Sequence, residues 1–402
     1  MGRFSNGLFF LAHRIAILGS TGSIGCGTFD VVRHLGSSYR VTALSTHSRI
    51  DELFEQAMIL RPSVVAITGA CDHDIVAARF GSIGCQVLFG QDGLVDIASH
   101  EQVDCVVSAV VGAAGLPPAM AAISAGKRLL LANKESLVMA GSILMPEVAR
   151  RGGTLLPIDS EHSAIFQAMR AGRRSEIKRV ILTASGGPFR EWSTERMHQA
   201  TPADALKHPT WKMGKKITID SATMFNKAAE IIEAVWLFDL HPSQVEVVIH
   251  PESVVHSMVE FVDGSTIAQL SPPDMRTPIQ YALTYPDRAV GIGRCMDFTQ
   301  SFSLQFAPPD VVKWPALRLA YEVCEKRGTL GAVMNASNEV AVEAFLSDKI
   351  RFGEICEVVE HTMSAHIIEP TPTLADVLKA DHWARTTAAE YVEKCITADK
   401  RR

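Results

Sequence analysis

The sequence predicts an α/β protein that begins with a parallel β-sheet, continues with a mixed α+β region and ends in helices. Short apolar runs alternate with helical stretches up to about residue 157, an order typical of a parallel sheet covered on both faces. A glycine-rich turn follows the first apolar run, and the chain becomes helical after residue 316. The 402 residues are too many for one core, so we expect two or three domains.

The first region contains predicted strands at 14–18, 41–44, 64–67, 87–88, 105–109, 129–132 and 155–158, with a helix from the glycine turn through residue 32. In the second region, strands are predicted at 179–183, 244–249, 253–261 and 265–270, with a hairpin turn at Asp263 and Gly264. One helix is predicted over 222–240, and the mixed sheet is expected to carry helices on one side. Proline and glycine over 271–315 indicate a linker, and helices are expected at 317–324, 336–346 and 352–365.

Composition excludes several classes of protein. A net charge of −5, from 39 basic and 44 acidic residues, argues against nucleic acid as the main partner. No apolar stretch approaches the ~20 residues that cross a bilayer, and the apolar core at 8–12 is short for a secretory signal. We therefore expect a short N-terminal extension, no membrane partner and a cytoplasmic location. The eight scattered cysteines form no Cys-x-x-Cys pair and are expected to be reduced.

The glycine turn predicts a dinucleotide site. Gly19, Gly22 and Gly25 follow the first strand and open a helix, where a tight turn and a helix N-terminus attract pyrophosphate. The spacing is one residue off the usual fingerprint, so the prediction depends on its place in a Rossmann-like βαβ unit. No acid ends the second strand, and Arg49 with nearby hydroxyls such as that of Ser48 favours NADPH over NADH. Alternatively, Arg49 is a solvated charge at a helix start.

Asn133, Lys134 and Glu135 follow an apolar strand directly. The carboxyl ends of parallel strands form the mouth of the sheet, where ligands bind. These side chains could contact a ribose or a substrate, and an ion pair that opens a helix is an equal alternative.

Three carboxylates predict a metal site. Asp159 and Glu161 end an apolar run, and in an extended segment they would share one face. Glu230 lies one helical turn beyond Asn226 and Lys227. Carboxylates without cysteine or paired histidine suit Mg²⁺ or Mn²⁺. Solvated surface positions are the alternative for each acid.

Hydroxyl, amide and ammonium groups of a phosphate site occur nearby, at Ser185, Ser221, Asn226 and Lys227. The polar loop from His208 to Gly214, with Trp211, could close over a substrate and exclude water.

These motifs together resemble the 1-deoxy-D-xylulose 5-phosphate reductoisomerase family over nearly the whole chain. The matching pieces are GSTGSIG at 19–25, LLANKES at 130–136, DSEH at 159–162, SGGPFRE at 185–191, DSATMFNK at 220–227 and PDMRTP at 273–278. The resemblance implies NADPH- and Mg²⁺- or Mn²⁺-dependent isomerisation and reduction of 1-deoxy-D-xylulose 5-phosphate to 2-C-methyl-D-erythritol 4-phosphate, a step of the non-mevalonate route to isoprenoid precursors. It also implies a homodimer and retro-aldol cleavage followed by aldol rejoining.

The resemblance implies an NADPH-binding domain at 1–157, a catalytic domain at 158–285 with a lid near 205–215, a linker at 286–315 and a helical domain at 316–402. It assigns the metal to Asp159, Glu161 and Glu230. It assigns catalysis and substrate binding to a larger set: Lys134, Ser160, Glu161, Ser185, His208, Trp211, Ser221, Asn226, Lys227 and Glu230. Cofactor positions are Thr21, Gly22, Ser23, Ile24, Asn133, Glu135 and Gly214. The proton-transfer group stays open between Lys134, His208 and a metal-bound water.

Three departures from the family pattern affect these assignments. Ala228 and Ala229 replace Gly-Leu, Thr210 and Lys212 alter the lid, and 47–49 replaces Gly-Lys-Asn, so that NADPH preference depends on Arg49. The rivals are a semialdehyde-type or short-chain NADP dehydrogenase and a non-catalytic cofactor sensor. A semialdehyde-type dehydrogenase would place a catalytic cysteine in its second half, but Cys295, Cys324, Cys356 and Cys395 lie in predicted linker or helical segments. A short-chain dehydrogenase would contain Tyr-x-x-x-Lys, and no tyrosine of this sequence is followed by lysine four residues later.

Overall fold

The computed structural model describes residues 13–211 and 213–399. The predicted N-terminal extension and Lys212 of the predicted lid lie outside these residues. Within the part of the chain that is described, no helix combines the length and the apolar character that crossing a membrane requires.

The first half of the chain forms a seven-stranded sheet. Its strands are β1 His13–Leu18, β2 Tyr39–Thr46, β3 Val64–Ile67, β4 Gln86–Phe89, β5 Cys105–Ser108, β6 Arg128–Leu131 and β7 Leu155–Pro157. Their order is β4-β3-β2-β1-β5-β6-β7, and every neighbouring pair is parallel. The predicted parallel sheet and its strands are confirmed, with small shifts at the strand ends.

Helices cover both faces of this sheet, which explains why its strands are apolar along their whole length. They are α1 Ser23–Leu35, α2 Ile50–Leu60, α3 His73–Gly81, α4 Gly90–Ser99, α5 Leu116–Ser124 and α6 Glu135–Arg151. Along β1, Ile15 and Ile17 belong to one hydrophobic cluster, whereas Ala16 and Leu18 belong to another. Since successive side chains of a strand point to opposite faces, the two clusters are the cores on either side of the sheet.

The second region contains a four-stranded mixed sheet. Its elements are α7 Ser160–Ala168, β8 Ile177–Ala184, α8 Thr194–His198, α9 Pro202–Ala205, α10 Lys215–Thr223, α11 Phe225–Leu237, β9 Val245–Ile249, β10 Val255–Phe261 and β11 Thr266–Leu270. The order is β11-β10-β8-β9; β8 and β9 are parallel, and the other pairs are antiparallel. The predicted mixed sheet and its hairpin are confirmed.

The single helix predicted over 222–240 is wrong. The chain instead forms α10 and α11, separated at Met224, whose φ of 65° is left-handed. Met224 and Phe225 are both buried, so the apolar pattern continues across the break and hides it. The break places Ser221 at the end of one helix and Asn226 in the first turn of the next.

The final region is helical, as predicted, although the predicted helices included neither residues 330–335 nor residues 374–399. After α12 Arg276–Thr284 come α13 Ala316–Lys326, α14 Leu330–Leu346, α15 Glu354–Ala365 and α16 Leu374–Asp399. Helix α12 lies in the stretch interpreted as linker, and its Ile279, Ala282 and Leu283 pack into a core of the parallel sheet. Helices α13 to α16 share a hydrophobic cluster with the mixed sheet and α11.

Candidate active site

A cavity of about 500 Å³ opens at the carboxyl ends of the parallel strands. Its wall includes Ile24 after β1, Val110 after β5, Asn133 after β6 and Asp159 after β7. The chain order reverses between β1 and β5, and the crevice at such a point is the usual ligand site of an open α/β sheet. Helices α7, α10 and α11 close the other side. The cavity therefore joins the glycine turn to the predicted metal and phosphate residues.

The three predicted metal ligands converge in this cavity. One carboxylate oxygen from each of Asp159, Glu161 and Glu230 lies within 4.8 Å of the others. The expectation that Asp159 and Glu161 lie in an extended segment is wrong, because Asp159 is the N-cap of α7 and Glu161 stands in its first turn. A helix N-terminus favours negative charge, so both acids gain from this placement.

Two buried lysines accompany the carboxylates. Lys134 Nζ contacts Asp159, lies 3.2 Å from Glu230 Oε1 and donates to Asn226 Oδ1 at 2.8 Å. Lys227 Nζ contacts Glu230 and lies 3.1 Å from Glu161 Oε1. Three carboxylates thus face two ammonium groups. The group fits a divalent cation, because an excess of negative charge and hard oxygen donors remain at a buried position.

Burial and neighbouring charge shift the pKa values of these groups in different directions. Burial and the Glu161 charge raise the pKa of Glu230 to about 7. Burial opposes ionisation of Asp159, but Lys134 outweighs it and lowers the pKa of Asp159 to about 2. Burial likewise disfavours the Lys134 ammonium, but Asp159 and Glu230 hold the pKa of Lys134 well above its ordinary value. Lys134 therefore keeps its charge.

A second group shares Asp159. His162 and Glu233 are buried, with His162 Nδ1 3.3 Å from Glu233 Oε2, and both lie near the Asp159 carboxylate. His162 Nε2 lies 2.9 Å from the carbonyl oxygen of Glu230. Burial lowers the pKa of His162 to about 4, so its ring is neutral. Sequence reasoning missed this pair, although His162 belongs to the DSEH motif and Glu233 lies three residues after Glu230.

The predicted phosphate groups line the same cavity, as do His208 and Trp211 of the predicted lid. His208 Nδ1 accepts hydrogen bonds from the backbone N–H groups of Thr210 at 3.2 Å and Trp211 at 2.9 Å. Nδ1 therefore carries no proton, and the Nε2–H donates to Ser185 Oγ at 3.1 Å. Burial lowers the pKa of His208, consistent with a neutral ring.

The glycine turn has the geometry that a dinucleotide site needs. Gly19 has a φ of +79°, and a Cβ there would lie 2.6 Å from the carbonyl oxygen of Ala109. A Cβ on Gly25 would lie 2.3 Å from the carbonyl oxygen of Gly19. Gly22 caps α1, so the first backbone N–H groups of that helix face the cavity mouth.

Most predicted cofactor residues reach the cavity. Its lining includes Gly22, Ser23, Ile24, Arg49, Asn133, Glu135 and Gly214, but not Thr21 or Ser48. Thr21 Oγ1 instead lies 2.7 Å from Thr46 Oγ1. The Asn133 amide donates to the carbonyl oxygens of Val110 at 2.8 Å and Gly112 at 3.0 Å, so it fixes the loop after β5.

Several polar residues that sequence reasoning did not single out also line the cavity, among them Lys216, Asp220 and Asn338. Lys216 and Asp220 are four residues apart on α10, a spacing too common on helix surfaces to indicate a site.

A parallel sheet whose glycine turn opens into the same cavity as three clustered carboxylates defines a nucleotide- and metal-dependent oxidoreductase. The protein-family model of 1-deoxy-D-xylulose 5-phosphate reductoisomerase matches residues 15–141, and two family models of the C-terminal domain of that enzyme match residues 155–238 and 270–387. The chain belongs to the 1-deoxy-D-xylulose 5-phosphate reductoisomerase family.

Individual relatives agree over nearly the full length. The chain is 50% identical over 384 residues to 1-deoxy-D-xylulose 5-phosphate reductoisomerase of Heliobacterium modesticaldum, covering 95% of this chain and 98% of that protein. It is 48% identical over 379 residues to the Chlorobaculum tepidum protein of the same name, covering 94% and 99%. The Zymomonas mobilis enzyme in complex with NADPH superposes with a TM-score of 0.89 at 41% identity, covering 95% of this chain and 100% of that one. A DOX-P reductoisomerase in complex with NADPH, fosmidomycin and magnesium gives 0.89 at 42% identity, covering 95% and 98%.

Proposed function

We propose that this protein converts 1-deoxy-D-xylulose 5-phosphate to 2-C-methyl-D-erythritol 4-phosphate, with NADPH and a divalent metal. The observation that carries the proposal is the convergence of Asp159, Glu161 and Glu230 within 4.8 Å, in the cavity that the glycine turn also reaches. Relatives of known name, and solved relatives holding NADPH and magnesium, support the same reaction.

The cavity offers two kinds of contact to a phosphorylated keto-sugar. Ser185, Ser221 and Asn226, with the ammonium of Lys227, supply donors for the phosphate and hydroxyl oxygens. Ser160 and Glu161 stand at the N-terminus of α7 and line the cavity, and we propose that the reacting carbons lie beside them. Phosphate binding away from those carbons would orient the substrate, so that part of the binding energy lowers the barrier.

A divalent ion held by the three carboxylates would act as a Lewis acid toward the ketone and hydroxyl oxygens. Lys134 holds positive charge beside Asp159 and Glu230, which stabilises negative charge as it develops on substrate oxygens. In the metal-free protein, Asp159 and Glu230 raise the pKa of Lys134, so its ammonium keeps its charge beside them. The neutral His208 keeps a proton on Nε2 at the Ser185 hydroxyl, where it can donate to a substrate oxygen.

NADPH would supply the hydride, held by the glycine turn and by Arg49, Asn133, Glu135 and Gly214. We propose that Arg49 binds the 2′-phosphate, because it lines the cavity beside α2 and no acid ends β2. Ser48 would assist from the same loop.

The segment near 205–215 is proposed to be the lid. Its described residues between α9 and α10, 206–211 and 213–214, have no regular structure apart from the histidine-centred turn, and Thr210 Oγ1 lies 3.5 Å from the carbonyl oxygen of Pro251. His208 of this segment also contacts Ser185, and Trp211 lines the cavity. Closure would exclude water from the site.

We also propose a homodimer and the domain division at 157, 285 and 315. Apolar side chains along 290–312 are exposed, including Val290 at 84%, Phe298 at 73% and Val312 at 82%. Within the described residues, the edge strand β11 pairs on one side only. Such surfaces favour pairing with another copy. Light scattering should give twice the 43.7 kDa chain mass; a monomer at assay concentration would reject the dimer.

A cytoplasmic location is proposed because all eight cysteines are free thiols, which suits a reducing compartment. Fractionation of the source cells tests this, and recovery from an oxidising compartment would reject it.

The decisive experiment for function is NADPH oxidation on adding 1-deoxy-D-xylulose 5-phosphate, with and without EDTA. We expect turnover that EDTA stops and Mg²⁺ or Mn²⁺ restores, with a product of the mass of 2-C-methyl-D-erythritol 4-phosphate. NADPH oxidation that gives an unbranched alcohol would contradict isomerisation and favour a simple dehydrogenase. NADPH binding without turnover would favour a cofactor sensor.

A further inference from the structure

A chain of polar contacts crosses the cavity wall from the parallel sheet to the C-terminal helices. Lys216 Nζ lies 2.6 Å from Asp220 Oδ2 and 3.8 Å from Glu135 Oε1. The Asn338 amide donates to Asp220 Oδ1 at 2.8 Å, and Asn133 Nδ2 donates to Glu135 Oε2 at 3.0 Å. This series of polar contacts therefore connects the start of α6, helix α10 and helix α14.

The Lys216 ammonium is shared between two carboxylates that are poorly hydrated. The exposed fraction of the side chain is 6% for Asp220, 14% for Glu135 and 26% for Lys216. A poorly hydrated charge without a counter-charge is costly, so the Lys216 ammonium stabilises both carboxylates in addition to the amide hydrogen bonds that they accept. Burial disfavours the charged lysine, but Asp220 and Glu135 outweigh it and raise the pKa of Lys216.

These residues stand between the two halves of the proposed site. Gly214, a proposed cofactor contact, immediately precedes α10, and Ser221, a proposed substrate contact, immediately follows Asp220. Glu135 is itself a proposed cofactor contact. A displacement of Lys216 would therefore move Glu135 on the cofactor side of the cavity and helix α10 on the substrate side.

We propose that Lys216 is a positioning residue that couples the cofactor half of the cavity to the substrate half, with Asn338 holding its partner Asp220 in place. The proposal rests on the proposed function for the meaning of the two halves. It gives the C-terminal helices a specific part in the reaction, since α14 supplies the hydrogen bond that orients Asp220.

Lys216→Met tests the proposal, because it keeps the length of the side chain and removes its charge. The Kd for NADPH is measured by fluorescence titration without turnover, and the KM for 1-deoxy-D-xylulose 5-phosphate in the steady state. We expect both constants to rise at least about tenfold, the factor that ~1.4 kcal/mol represents. Lys326→Met is the matched control, since Lys326 pairs with Glu322 at 2.8 Å on exposed helix surface, and it should leave both constants unchanged.

A double-mutant cycle with Glu135→Gln tests the coupling itself. We expect the double variant to bind NADPH about as weakly as the weaker-binding single variant, because both changes break the same contact, that between Lys216 and Glu135. Multiplicative effects would overturn the proposal, as would a Lys216→Met variant that melts earlier yet keeps both constants.

Asn338→Ala covers the case in which Lys216→Met does not fold, because Asp220 then retains its cation. It should raise both constants in the same direction by about threefold, which corresponds to a modest hydrogen-bond contribution. A folded Asn338→Ala variant with unchanged constants would overturn the proposal. Absence of turnover in the unmutated protein would instead refute the proposed function, while the NADPH-binding measurements would still test the coupling.

Discussion

Replacing Glu230 with glutamine removes one charge from the proposed metal site while keeping an oxygen ligand. Glu230 is fully buried and contacts both Lys134 and Lys227. At an effective dielectric of about 20 and a separation of about 4 Å, a unit charge interacts with a divalent ion by roughly 8 kcal/mol. The charges of the two lysines already offset much of this interaction energy. We therefore expect the substitution to remove about a third of it, which weakens metal binding about 100-fold.

The fold should survive this substitution. The pKa of Glu230 in the metal-free protein is raised to about 7, so a neutral side chain there is close to one of its accessible states. Isothermal titration with Mn²⁺, NADPH titration and turnover at saturating Mg²⁺ separate the effects. We expect metal affinity and turnover to fall steeply while the Kd for NADPH stays unchanged.

Glu246→Gln is the control, because Glu246 is a half-exposed carboxylate paired with Arg179 on the mixed sheet. It should leave metal binding and turnover as they are. Near-normal turnover of Glu230→Gln at saturating Mg²⁺ would refute the metal role.

Further predictions concern the cofactor, the lid and the fold. Arg49→Ala should raise the KM for NADPH about tenfold or more and that for NADH little, since a charged hydrogen bond to the 2′-phosphate contributes ~1.5–3 kcal/mol; equal effects on the two cofactors would reject the contact. His208→Asn keeps an acceptor for the backbone N–H groups of the lid, whereas His208→Gln keeps a donor to Ser185. If only the asparagine variant turns over, the hydrogen bonds from the lid matter more than the one to Ser185. Because the pKa of His208 is lowered, its neutral form and the lid contacts should persist below pH ~6.5 and be lost as pH falls through the lowered value, which the acid limb of kcat/KM would report. Lys313 Nζ donates to the carbonyl oxygens of Phe189 at 2.8 Å, Arg190 at 2.9 Å and Trp192 at 2.6 Å. Lys313→Met should therefore lower the free energy of unfolding, measured in urea, by about 3 kcal/mol. The control is Lys178→Met at an exposed position, and equal stability of the two variants would contradict the prediction.

The sequence was sufficient to predict the parallel sheet and the residues at its mouth. Apolar runs of four to eight residues bounded by turns have few alternatives in an alternating βα pattern. Residues that follow such runs fall at one edge of the sheet, which is why Lys134 and Asp159 were found. Glu230 was found from its helical spacing to Asn226 and Lys227.

Other features depend on tertiary contacts that leave little trace in local sequence. The break at Met224 occurs without glycine or proline, because buried side chains on both sides stabilise a left-handed residue. Helix α12 was hidden by Pro278 and by the prolines that flank the helix at 272, 273 and 286, although Pro278 lies in its first turn, where proline is tolerated. The Lys216–Asp220 pair resembled any solvated helical pair until α14 and Glu135 were placed beside it.

Diffraction from crystals grown with Mn²⁺ and NADPH would test the central claim most directly, through the anomalous signal of the ion. We expect one peak, for an ion coordinated by carboxylate oxygens of Asp159, Glu161 and Glu230 with metal–oxygen distances of roughly 2.0–2.3 Å. A peak held instead by His162 and Glu233, or no peak at a Mn²⁺ concentration that supports full turnover, would contradict the account.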